Sequence, residues 1–104
     1  MNYEKLIRDG KVAVLYSPGY GAGWFTWAPE YPGRVFDREI AEAILAGDQN
    51  LAAQISERKY PNAYTGGARD LTVTWLPEGT IFDIEEYDGN ESIHIIGTRS
   101  YLTA

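Results

Sequence analysis

Two turn signals in quick succession constrain the second half of this chain more than any other feature. They are Pro77-Glu78-Gly79 and Asp88-Gly89-Asn90. Strands joined by such short connections pair antiparallel, because a parallel pair needs a crossover of roughly a dozen residues or more. The strands are supplied by Leu71, Val73 and Trp75, which alternate with threonines, then by residues 81–87 returning from the first turn, and by residues 93–96 and 99–102. The pattern predicts an antiparallel β-meander.

The first half of the chain opens with another strand. The sequence KVAVLY, residues 11–16, is short, rich in β-branched residues and bounded by Asp9-Gly10 and Ser17-Pro18-Gly19, which is typical of a buried strand. A second strand is possible over residues 24–27, before Pro29 and Pro32-Gly33 punctuate the connection.

Two short helices are predicted between the strands. Asp37 is a good N-cap for the first helix, which ends at Gly47, and Asp48 caps the second, which ends at Tyr60-Pro61. The predicted inner faces are Ile40, Ala43 and Ile44 in the first helix and Leu51, Ala52 and Ile55 in the second. We therefore expect an α+β fold over residues 1–104, a single small domain in which a two-helix hairpin packs on the antiparallel sheet.

Charge and cysteine content limit the function classes. The formal net charge of −6 argues against a surface for polymeric nucleic acid, although a small anionic ligand needs only one or two cations. The absence of cysteine fits a reducing cytosol. No apolar run is long enough to span a membrane and no signal-peptide core is present, so we expect neither membrane contact nor export.

The segment YSPGYGAGWFTW, residues 16–27, combines flexible backbone with flat, uncharged side chains. We call it the glycine segment. It matches neither the dinucleotide-binding nor the Walker phosphate motif, because Trp24 stands where a third glycine is needed and no lysine follows in register. Aromatic faces can stack on a base, and glycines let backbone approach a ligand. The competing interpretation is that the tryptophans are core residues. The predicted ligand contacts in this segment are Tyr16, Ser17, Tyr20, Gly21, Trp24 and Trp27.

The acidic stretch DIEEYDGNES, residues 83–92, can be interpreted as a metal site or as a source of ribose contacts. Its spacing fails the calcium-loop pattern, so we expect no metal and no cofactor, and a solvated strand face explains most of its charge. Near its turn lies a compact set of donors and acceptors suited to ribose hydroxyls, formed by Asp88, Asn90, Glu91 and Ser92.

Arginine is the favoured partner for phosphate, and four arginines are candidates: Arg34, Arg38, Arg69 and Arg99. Arg99 is singled out because no acidic residue lies next to it. Catalysis has little support: His94 is the only histidine and sits between two isoleucines, and no cysteine nucleophile or serine elbow is present. We expect a binding protein with no catalytic residues rather than an enzyme.

Three stretches together resemble a known family. KVAVLYSPGYGAGWFTW, YTGGARDLTVTWLPEGT and FDIEEYDGNESI, in that order, are similar to the first type of Thoeris anti-defence protein, which phages make. The resemblance implies a homo-oligomer in the host bacterial cytoplasm that holds cyclic ADP-ribose isomers without cleaving them. Some members also hold cyclic oligonucleotides, in pockets near protomer contacts. The resemblance fixes no binding residue of this chain individually.

Two other function classes stay open at this point. The glycine segment can instead be the binding hot spot of a protein that inhibits a bacterial defence protein. Alternatively, the abundant carboxylates can serve a small nucleotide hydrolase, because an acid/base pair needs no other residue type.

Overall fold

The computed structural model describes residues 5–18, 24, 32–60, 70–87, 90–95 and 102–104. Within these residues it has two three-stranded antiparallel sheets and two α-helices, so the predicted α+β class is confirmed. Sheet A has the order β1-β2-β3, with β1 at Ile7–Arg8, β2 at Lys11–Tyr16 and β3 at Thr72–Pro77. Sheet B has the order β5-β4-β6, with β4 at Ile81–Tyr87, β5 at Asn90–Ile95 and β6 at Leu102–Thr103.

Strand β2 is the centre of sheet A and is buried on both faces. Val12, Ala13, Val14 and Leu15 are each no more than 1% exposed, which explains why its sequence is a continuous apolar run and not an alternation. It is joined to β1 by the two-residue turn Asp9-Gly10, whose φ angles of 52° and 75° suit an Asp-Gly pair.

The helices follow the local signals closely. Asp37 accepts a hydrogen bond from the amide of Ile40 (3.1 Å) and begins α1 at Arg38–Leu45. Asp48 accepts from the amide of Leu51 (3.0 Å) and begins α2 at Gln49–Lys59, which Tyr60 ends. The predicted helical hairpin is confirmed, and α1 packs on β2 and β3 of sheet A.

The inner face of α2 differs from the prediction at one position. Leu51 is 42% exposed, whereas Ala52, Ala53, Ile55 and Ser56 are buried. The helix thus turns its small residues, together with Ile55, toward the interior.

The strand pairing around residues 77–79 also differs from the prediction. The strand after this turn does not return onto β3; β3 pairs with β2, and β4 pairs with β5 and β6. The turn is held by other partners, because the amide of Glu78 donates to Gly10 O (2.9 Å) and that of Gly79 to Ala104 O (2.7 Å). These bonds direct the chain from one sheet into the next instead of closing a hairpin.

The two sheets meet in one core. Phe36, from a 3-10 helix at Pro32–Phe36, packs edge-on against Phe82 of β4 with ring centroids 6.0 Å apart. At one place the sheets are also joined by backbone, since the amide of Glu91 on β5 donates to Ser17 O just after β2 (2.7 Å). Three of the predicted ligand residues, Ser17, Trp24 and Glu91, lie at that junction.

Candidate functional site

The glycine segment leaves β2 at Ser17, and the part of it up to Trp24 is tied at both ends by one side chain. Glu91 Oε1 accepts the amide N–H of Ser17 (2.9 Å), and Glu91 Oε2 accepts the amide N–H of Trp24 (3.0 Å). Because one carboxylate holds both amides, residues 17 and 24 lie close together although six residues separate them in the sequence.

Trp24 is bonded at each of its polar groups. Its amide binds Glu91, its carbonyl accepts from Arg34 Nη2, and its indole Nε1 donates to Ser56 Oγ (3.0 Å). The Arg34 guanidinium also lies over the indole ring, 4.6 Å from the ring centroid. We call Ser17, Trp24, Arg34, Ser56 and Glu91 the anchor cluster.

The anchor cluster lies in the interior of the protein. All five residues are at most 1% exposed. Burying a carboxylate and a guanidinium costs free energy, which hydrogen bonds to the charged groups offset in part, and here both groups bind the backbone of Trp24. Its members come from the position just after β2, the 3-10 helix, α2 and β5, so the cluster connects residues 17 and 24 to both sheets.

In this geometry three of the predicted ligand residues, Trp24, Glu91 and Ser17, are buried in the interior. The ring of Trp24 has no exposed surface, so in this arrangement it offers no face to a base, and the competing core interpretation describes it. Both Glu91 oxygens accept backbone amides inside the protein, which removes them from contact with a ribose. Ser17 is fully buried as well, and among the described residues its Oγ has no hydrogen-bond partner.

Of the predicted set Asp88, Asn90, Glu91 and Ser92, the three residues that the structure describes, 90–92, do not converge on one point. Residues 90–92 lie in β5, where Asn90 pairs with Tyr87, Glu91 with Glu86 and Ser92 with Glu85. Successive side chains of a strand point to opposite faces, so Glu91 faces the interior while Asn90 and Ser92 lie on the other face. Ser92 is exposed, and Asn90 and Tyr16 are partly buried.

Several predicted residues lie outside the part of the chain that the structure describes. They are Tyr20, Gly21, Trp27, Asp88, Arg69 and Arg99, as is most of the possible strand at 24–27. Of the other candidate phosphate partners, Arg34 is in the anchor cluster and Arg38 forms an exposed ion pair with Glu42 (2.8 Å).

Around His94, an exposed group looks at first like a catalytic relay. His94 Nε2 lies 3.1 Å from Ser92 Oγ and 3.2 Å from Glu85 Oε2. A nucleophile–base–acid relay uses both ring nitrogens, one for each partner, whereas here both partners meet the same nitrogen. Among the described residues no group of three or more His, Cys, Asp or Glu side chains is placed to hold a metal ion.

The sequence holds a signal for the burial of Glu91 that the prediction of a ribose contact did not use. Glu91, Ile93 and Ile95 alternate with polar residues, so the period of the strand alone puts the carboxylate on the apolar face. Arg34 has no comparable signal, because it lies in a short turn-like stretch between apolar residues.

Comparison with protein-family models, with curated proteins and with solved structures finds no match for this chain. None of the described helices is long and apolar enough to cross a membrane.

Proposed function

We propose that this protein binds and sequesters cyclic ADP-ribose-type signalling nucleotides, and does not cleave them. The observation that carries the proposal is that one buried carboxylate, Glu91, accepts the backbone amides of both Ser17 and Trp24 and so fixes both ends of the segment between them. Loops held on a rigid scaffold are where binding residues concentrate. A loop whose ends are fixed loses less conformational entropy when it closes on a ligand.

The residues between these two anchors are suited to that ligand class. Residues 18–23, PGYGAG, supply three glycines for close backbone approach and Tyr20 for stacking. A ligand of this class carries an adenine, two riboses and a pyrophosphate. In the proposal Tyr16, Tyr20 and Trp27 offer stacking faces, Asp88, Asn90 and Ser92 offer ribose partners, and Arg99 offers charge to the pyrophosphate.

The setting follows the resemblance to the Thoeris anti-defence family. In the proposal the chain acts as a homo-oligomer in the cytoplasm of a phage-infected bacterium, where it competes with a signal receptor. Such competition requires nanomolar affinity, which corresponds to about −12 kcal/mol. A pocket completed by a second subunit would enclose more of the ligand than one loop can, and so help to reach that affinity.

Isothermal titration tests the proposal directly. We expect nanomolar binding of at least one cyclic ADP-ribose isomer or cyclic oligoadenylate from a small panel, and weaker binding of linear ADP-ribose. Arg99→Ala should weaken binding at least tenfold, about 1.4 kcal/mol, whereas Arg58→Ala, an exposed arginine on α2, should not. If no member of the panel binds, or if host lysate yields a stoichiometric protein partner that nucleotide does not displace, the proposal fails.

A further inference from the structure

One face of sheet A carries a second cluster of side chains, next to the Asp9-Gly10 turn. Arg8 pairs directly with Lys11 across β1 and β2, and Trp75 pairs with Ala13 across β2 and β3. Paired residues share a face, and so do residues two apart on one strand, so Arg8, Lys11 and Trp75 lie on the same face. They line a cavity of about 360 Å³ together with Asp9.

The charges in this cavity are arranged against a rule of sheet pairing. Like charges directly opposite each other on neighbouring strands destabilise the pair, yet Arg8 and Lys11 occupy such positions. Within the described part of the chain neither residue forms an ion pair. In a protein of net charge −6, these two cations outweigh the single carboxylate of Asp9, so the cavity lining has a net charge of about +1 and favours an anion.

An aromatic face lies beside these cations. Trp75 is partly buried against the core, and the small Ala13 is its partner on the neighbouring strand. The Arg8 guanidinium already lies over the indole, 5.7 Å from the ring centroid. Covering the ring in this way needs only Arg8, so it does not account for Lys11 at the opposite position.

We infer that this cavity binds a nucleoside phosphate, with the base against Trp75 and the phosphate between Arg8 and Lys11. Its volume falls in the range of small-molecule pockets, and the combination of a stacking ring with two cations matches a planar anion. None of these residues belongs to the anchor cluster or to the glycine segment. The inference is therefore independent of the proposed function.

Titration with 5′-AMP, followed by the indole N–H resonance of Trp75, tests the inference. The resonance is identified by its loss in Trp75→Phe. We expect it to shift with millimolar 5′-AMP, and to shift less with adenosine or with inorganic phosphate alone. Arg8→Gln and Lys11→Gln should each weaken the 5′-AMP affinity about threefold. Both side chains are exposed, so neither variant threatens the fold.

The matched control is Arg58→Gln, which removes one positive charge from an exposed ion pair on α2 and should leave the 5′-AMP affinity unchanged. Two results would overturn the inference: a Trp75 resonance that does not move at about 10 mM 5′-AMP, or an affinity that all three variants lower equally. The second result would mean that the 5′-AMP affinity depends only on the overall charge of the protein.

Discussion

Replacing Glu91 with glutamine tests the anchor cluster most sharply, because the change keeps the shape of the side chain and removes only its charge and one acceptor. In the native protein each carboxylate oxygen accepts a buried backbone amide, at 2.9 and 3.0 Å. Glutamine keeps one acceptor oxygen, but its NH₂ group must face the other amide, so two donors meet in the interior.

The size of the effect follows from those two bonds. A hydrogen bond to a charged group contributes about 1.5–3 kcal/mol, and a buried donor left without a partner costs about 1–3 kcal/mol. Glu91→Gln should therefore lower the free energy of unfolding by about 2–4 kcal/mol, since one weaker bond remains. For a domain of this size that corresponds to a fall in Tm of at least about 10 °C.

Urea unfolding followed by tryptophan fluorescence measures the difference. The matched control is Glu85→Gln on the same hairpin, where the side chain is 61% exposed and its only described partner is His94. That control should stay within about 0.5 kcal/mol of the parent protein. Equal stability of Glu91→Gln and Glu85→Gln would refute the claim that Glu91 holds residues 17 and 24 together.

Three further predictions concern the core and α2. Trp24→Ala should cost about 3–5 kcal/mol in urea unfolding, because a fully buried aromatic leaves a cavity; a variant that keeps its stability would contradict the core placement. A double-mutant cycle of Trp24→Phe and Ser56→Ala should give a coupling of about 1 kcal/mol for the indole–hydroxyl bond, and additive losses would exclude that bond. Burial alone would lower the pKa of Lys59, but its hydrogen bond to Asp37 and the charges of Asp37 and Glu39 outweigh burial and raise the pKa above 10.5. The stabilisation from Lys59 is thus complete below pH 10.5 and is lost as the pH rises through the pKa of the folded state. Lys59→Met should therefore flatten the alkaline end of the plot of unfolding free energy against pH. A plot that Lys59→Met leaves unchanged would contradict this.

Local signals in the sequence are sufficient for both helices and for the strands at residues 11–16 and 81–87. They do not predict β1, and they place Asn90 in a turn, whereas β5 begins at that residue. Asp37 and Asp48 cap the helices as predicted, because an N-cap depends on a few consecutive residues. The buried strand at residues 11–16 was located at its correct ends, since its apolar run is bounded by turn residues on both sides.

The choice of neighbouring strands could not be predicted in this way. Whether β4 returns onto β3 depends on bonds between residues 10 and 78 and between residues 79 and 104, which are far apart in the chain. The burial of Arg34 and Glu91 could not be predicted for the same reason. Both charged groups bind the backbone of Trp24, a partner that only the folded chain supplies.

The central claim is that the protein holds a signalling nucleotide and leaves its bonds intact. The most direct measurement is to saturate the protein with a cyclic ADP-ribose isomer, remove free ligand, release the bound fraction by heat and identify it by mass spectrometry. We expect unchanged cyclic nucleotide to be recovered in a fixed ratio to protein. Recovery of a hydrolysed product, or of no nucleotide at all, would contradict it.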